Sequence, residues 1–173
     1  MNRGIHFEED YAQGVRITAR VDYAVRAVIE LAAADQPMVK GERLAERQEI
    51  PLKYLENILA DLRRARIVAS QRGAEGGYRL ALRADTITVA DIIRAVEGPL
   101  ADVHGTSPES IDYPGPAQPL RRVWIATRAA LRTVLEEVTV ADIAADRLPP
   151  GVEDLLADPA AWRRRRLGSI QPT

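Results

Sequence analysis

The sequence predicts a mainly α chain with one small β-hairpin and, after it, a long helix shaped for pairing. Three observations predict this. Three short amphipathic segments follow one another between residues 18 and 65. Gly73-Ala74-Glu75-Gly76-Gly77 separates two short extended segments. From Leu120 onward, apolar residues recur at the alternating spacing of a heptad.

The first helix is expected from about Thr18 to Ala34, because Val21, Val25, Val28 and Ala32 form one stripe and Pro37 follows. A second helix reads from Gly41 to Gln48, with Leu44 and Ala45 inward. After the turn Glu49-Ile50, Pro51 opens a third helix at the position where a missing N–H is harmless. That helix runs to about Ala65, with Leu55, Ile58, Leu59 and Leu62 on one face. Extended segments near Ile67–Arg72 and Tyr78–Leu82 flank the glycines, which supply the conformations a tight connection needs. Thr88 with Asp91 reads as a capping box before Val89, Ile92, Ile93 and Val96, and this fourth helix stops at Gly98-Pro99.

Residues 101–119 are rich in Pro, Gly, Ser and Asp and read as an unusually long loop. The long helix then carries Leu120, Trp124, Thr127, Leu131, Val134 and Val138 as a continuous seam, the expected dimerisation surface. Thr139 and Asp142 repeat the capping-box signal ahead of a short helix near Val140–Asp146. Pro149-Pro150-Gly151 is expected to end regular structure, leaving residues 149–173 as a tail that includes Arg163–Arg166. That arginine run reads as a solvated tail, with auxiliary phosphate contact as the alternative.

Composition narrows the function classes. There are no cysteines, which removes disulfides, thiolate metal sites and thiol nucleophiles. Two histidines, His6 and His104, leave little material for triad catalysis, and no nucleophile elbow, phosphate loop or zinc-protease motif is present. An enzyme is therefore not expected. No apolar run reaches the length of a membrane span, and residues 1–14 lack an apolar signal core, so the expected location is the cytoplasm. The net charge of -1 conceals an asymmetry. Residues 16–83 hold 13 basic against 9 acidic side chains, whereas residues 84–173 hold 10 against 13. A basic segment on an acidic remainder suits a nucleic-acid-binding head with a partner-facing body.

Three short helices followed by a glycine-tipped hairpin make a winged helix-turn-helix. The second and third helices, at a steep angle, bury their apolar faces on the first and leave the outer face of the third free for a major groove. On that face, Asn57 has the chemistry to read adenine, Lys53 to reach guanine or phosphate, and Glu56 to accept from cytosine; Arg63 and Arg64 suit phosphates. Arg72, at the start of the hairpin turn, suits a narrowed minor groove, with Gly76-Gly77 keeping the tip slim. The plainer reading of these residues is the solvated face of an amphipathic helix.

The residues that carry a family resemblance are now in place. Arg16-Ile17-Thr18, Asp22-Tyr23-Ala24-Val25-Arg26-Ala27, Leu44-Ala45, Ile50-Pro51, Tyr54-Leu55-Glu56 and Arg72-Gly73 with Gly76-Gly77-Tyr78 resemble the Rrf-two family of bacterial regulators, the IscR-, NsrR- and CymR-like proteins. The likeness continues through Val96-Glu97-Gly98-Pro99-Leu100, Trp124 and Val138-Thr139-Val140-Ala141-Asp142. It implies a homodimeric repressor on a pseudo-palindromic operator in double-stranded DNA. It also implies a DNA surface comprising Thr18, Pro51, Lys53, Tyr54, Glu56, Asn57, Arg63, Arg64, Arg72, Gly73, Gly76, Gly77 and Tyr78.

The implied organisation is an extension over 1–14, a DNA-binding domain over 15–84, a connecting helix over 85–100, the loop 101–119, a dimerisation segment over 120–148 and a tail over 149–173. The extension reads either as a real arm or as the product of a start assigned upstream of Val15. Many relatives bind an iron–sulfur cluster through three cysteines in the loop, and this chain has none, so no cofactor is expected. Asp102, His104, Glu109 and Asp112 read as polar loop residues rather than metal ligands. The resemblance leaves the signal open: cysteine-free relatives act through a protein partner or a small molecule, or repress constitutively. The competing function is a winged-helix protein-interaction module without specific DNA binding.

Overall fold

The computed structural model describes residues 17–163; residues 1–14 and Arg164–Arg166, on which the sequence raised expectations, lie outside the described residues. Helix α1 (Ala19–Ala32) starts one residue after Thr18, whose side chain accepts from the Val21 amide at 3.2 Å. Helix α2 (Gly41–Gln48) is closed by Glu49 in the left-handed region at φ 52°, its N–H returning to the last turn. Helix α3 (Leu52–Arg64) has Pro51 as its cap rather than as its first residue. Leu55, Ile58, Leu59 and Leu62 are buried to 0% exposure and meet Ala24, Ala27 and Val28 of α1 and Leu44 of α2 in one core. Each such side chain, fully withdrawn from water, contributes roughly 1.5–3 kcal/mol.

Strands β1 (Val68–Gln71) and β2 (Gly77–Leu80) pair antiparallel, in the register Val68 opposite Leu80 and Gln71 opposite Gly77. Both are shorter than the sequence suggested. A further pairing was not foreseen: Val39, between α1 and α2, exchanges two backbone hydrogen bonds with Tyr78, at 2.9 and 2.8 Å. A single bridging residue leaves no alternation to read.

Helices α4 (Val89–Glu97), α5 (Leu120–Leu135) and α6 (Val140–Ala144) follow. Both expected capping boxes form, Thr88 with Asp91 and Thr139 with Asp142. The two capping residues face each other in a β-bridge, with Val89 N donating to Val138 O and Val140 N donating to Ile87 O. Helices α4 and α6 both pack on α1, and Ile92 and Val140 enter the same core.

This stitching corrects one expectation. The long helix does not continue through Val138; it stops at Leu135, because Val138 and Thr139 must be extended to pair with residues 87–89. The loop 101–119 also has internal order, with 3-10 turns at Pro108–Ser110 and Gly115–Ala117 and a bridge between Val103 and Thr106. A second correction concerns the tail. Pro149-Pro150-Gly151 begins helix α7 (Pro150–Ala157) instead of ending regular structure, since proline at the first helical position is tolerated and Val152 finds a buried place. Among the described residues, no helix is long and apolar enough to cross a membrane.

Candidate nucleic-acid interface

With its apolar side in the core, α3 offers solvent a polar side. Lys53, Glu56 and Asn57 are exposed, as are Arg63 and Arg64 in the last turn. Lys53 extends fully, its side chain 98% exposed and 3.9 Å from Glu56 Oε2. That is a loose i,i+3 pair, which leaves both groups free to exchange partners. The two arginines are more engaged. Arg63 donates to Ser70 Oγ at 3.2 Å, linking α3 to β1, and Arg64 pairs with Asp61 at 2.6 Å. Asp61 is also paired with Arg20 of α1, whose Nε donates to Val96 O at 3.0 Å.

Tyr54 is the half-exposed member of this face, and its ring is held from behind. It meets Tyr23 of α1 edge to face, ring centres 5.7 Å apart at 86°. Arg26 stands 5.5 Å over the Tyr23 ring and donates to Gln48 through both its Oε1 and its backbone carbonyl. Gln48 in turn donates to Glu30 Oε2 at 2.7 Å, and Arg47 pairs with Glu30 at 2.9 Å. Glu30, the buried charge of α1, thus has two partners on α2, the condition under which a buried carboxylate is tolerated. This network fixes how α1, α2 and the first turn of α3 meet. Its contacts within α1, Asp22 and Tyr23 with Arg26, follow helical spacing, but those between helices join residues far apart in sequence, and nothing in the spacing announces them.

Arg72 and Gly73 lie exposed at the wing, Gly73 at φ 106°. Gly76 and Gly77 serve the tight connection expected of them. Gly76 is buried, and a Cβ there would stand 2.3 Å from Gln71 O; at Gly77 it would stand 2.5 Å from Val39 O. These glycines let the wing fold tightly on itself and on Val39. Tyr78 is half-buried against the core. Thr18 is exposed at the entry to α1, capping it and donating to Glu97 Oε1, and Pro51 is exposed at the entry to α3.

The Rrf2 family profile, described as iron-dependent transcriptional regulator, matches residues 17–146. The chain belongs to the Rrf2 family. A Mycobacterium tuberculosis protein, Rv1287, which carries a provisional HTH-type transcriptional regulator name, is 44% identical over 156 residues, 90% of this chain and 97% of that protein. The solved structure of CymR (YrzC), the global cysteine regulator of B. subtilis, aligns with a TM-score of 0.62 at 36% identity, covering 75% of this chain and 96% of CymR. The IscR structure from T. potens aligns with a TM-score of 0.60 at 30% identity, covering 88% and 95%.

In this Rrf2 chain, the expected seam residues Leu120, Trp124, Thr127, Leu131 and Val134 lie on α5 and are half-buried, while Val138 lies beyond the helix, buried in its own chain. Ten of the sixteen α5 residues are apolar, yet none is buried. A second row, Val123, Ala126, Ala130 and Thr133, is exposed to solvent.

The family description raises the question of iron, and the residues of this chain do not fit it. Iron–sulfur clusters are held by thiolates, and the chain has no cysteine. Among the described residues, no group of three His, Cys, Asp or Glu side chains could hold a metal ion. Of the loop carboxylates, Glu109 is paired with Arg128, and Asp112 lies 3.4 Å from Arg121. Arg94 of α4 and Arg128 and Arg132 of α5 line a cleft with the loop residues Asp102 and Ser107, and these arginines are cations and donors rather than ligands.

Proposed function

We propose that this Rrf2 regulator acts as a homodimeric, sequence-specific repressor on a pseudo-palindromic operator, inserting α3 into the major groove and setting the wing beside the minor groove. The observation that carries the reading is the two-sidedness of α3: four fully buried apolar residues fix it to the head, and Lys53, Glu56 and Asn57 stand free opposite them. Asn57 matches the two-point pattern of adenine, and Lys53 and Glu56 match guanine and cytosine edges. Arg63, Arg64 and Arg72 supply phosphate and groove charge, with Arg64 exchanging Asp61 for phosphate. Thr18 and Pro51, at the entries of α1 and α3, lie where a backbone phosphate would approach.

Homodimer formation is supported by α5, whose apolar surface a single chain leaves uncovered. A twofold pair of heads matches half-sites one turn of duplex apart. Repression follows from occupying promoter DNA. The reading includes neither catalysis nor a bound cluster, and it places the protein in the cytoplasm with the DNA.

The test is a gel shift on the gene's own upstream region with a salt titration. Affinity should fall steeply with salt as phosphate-bound counterions are released, and the specific site should outcompete random duplex. A flat salt response, or equal affinity for random duplex, would favour the protein-interaction module instead.

A further inference from the structure

Three arginines from two helices converge on one cleft. Arg94 of α4 and Arg128 and Arg132 of α5 line a cavity of about 450 Å³ with Leu100, Asp102 and Ser107. That size suits a metabolite. The cleft lies where α4, which packs on α1 and α3, meets α5. Arg128 is the least accessible of the three, its side chain 12% exposed. Its guanidinium is paired with Glu109 and donates to Ser107 Oγ at 3.2 Å. One turn earlier on the same face of α5, the Trp124 indole N–H is buried without an acceptor. Arg94 pairs with Glu136 and lies 3.5 Å from Asp91, and Arg132 lies 3.6 Å from Glu136.

A guanidinium withdrawn from water needs an anion at all times. Here the anion is supplied by the chain itself. Glu109 is 51% exposed and sits on a single 3-10 turn, so it can swing to solvent at little cost, whereas Arg128 is held in α5. Arg128 is therefore the fixed half of the pair and Glu109 the replaceable half. We propose that this cleft binds a small carboxylate or phosphate anion, which takes the place of the Glu109 side chain on Arg128 while the buried Pro108 holds the turn in place. The internal carboxylates compete with a simple monovalent ion. The favoured ligand therefore offers two or more oxygens to the planar guanidinium fork and an apolar stem to Leu100. The site stands independently of the DNA reading. Its effect on operator binding, transmitted from α5 through α4 to α3, rests on that reading.

Isothermal titration of the full-length protein with succinate and with inorganic phosphate, at constant ionic strength, tests the site. Wild type should bind at least one probe, and Glu109→Gln should bind it about tenfold more tightly, since the internal competitor is gone. Arg128→Met should lose binding. Succinate alone binding identifies a carboxylate ligand, and phosphate alone a phosphate ligand. The proposal is overturned if neither probe binds wild type or Glu109→Gln, or if folded Arg128→Met binds as wild type does. Should Arg128→Met fail to fold, the comparison of wild type with Glu109→Gln decides. Operator binding is measured separately by fluorescence anisotropy without probe. A protein that binds succinate but no duplex fails the DNA reading and leaves this one standing.

Discussion

Helices α3 and α5 are similar in length and both amphipathic, yet the chain treats them in opposite ways. Four apolar residues of α3 are fully withdrawn from water, and the rest of the head closes around them. Helix α5, with ten apolar residues in sixteen, buries none. The head satisfies its own hydrophobic demand within one chain, and α5 does not. An apolar helix face left open in a monomer marks an interaction surface. The lesson is that amphipathicity shows which side of a helix wants cover, and only the packing around it shows whether that cover comes from within.

The contrast can be broken at either helix. The largest effect is expected in the head: Leu59→Ala should cost about 2–5 kcal/mol in urea unfolding, because the close-packed site cannot collapse around the missing atoms. Ala130→Asp on α5 should leave the circular dichroism and melting of the head unchanged but yield monomers in sedimentation. Operator affinity should then fall by roughly 10²-fold as the two heads lose their linkage. A dimer that persists would move the interface off this face.

Asn57→Ala sharpens the comparison at the DNA side. It should cost about 1–3 kcal/mol and relax preference at one base position, read out by competition among single-base operator variants. The smallest effect concerns the cap that returns the chain from α5 to the head. The Thr139 hydroxyl and amide hold the Asp142 carboxyl below the usual carboxylate range. Because the folded value is the lower one, this carboxylate stabilises fully above the usual range and ceases to do so as pH falls through its lowered value. Asp142→Asn should therefore be slightly less stable than wild type at neutral pH, and the difference should vanish in acid.

Much of the head was legible because its signals are local. The stripe Leu55, Ile58, Leu59, Leu62, the box Thr88 with Asp91 and the glycines around the wing each declare themselves within a few residues. What escaped was long-range. Val39 joins the wing through two hydrogen bonds that its neighbours do not foretell. Tyr23, Arg26 and Gln48 come together behind Tyr54 only once α1 and α2 have docked. Gly76 and Gly77 declare a tight connection in the sequence, but not that the backbone they must clear is that of Gln71 and Val39. The seam was extended through Val138 because a heptad count cannot see that Thr139 caps a new helix and pairs across to Thr88. Proline at 149 and 150 was read as a stop where it serves as a start.

The bridge between Thr88 and Thr139 makes the head discontinuous in sequence: Val140, wholly enclosed, is supplied only after the chain has travelled out along α5 and returned. A nascent chain released before residue 140 holds every residue proposed to face DNA and yet lacks a piece of the core beneath them. Completion of the head thus waits on synthesis of α5 and of the extended segment that follows it, so a product that ends before residue 140 carries all of α5 on an unfinished core.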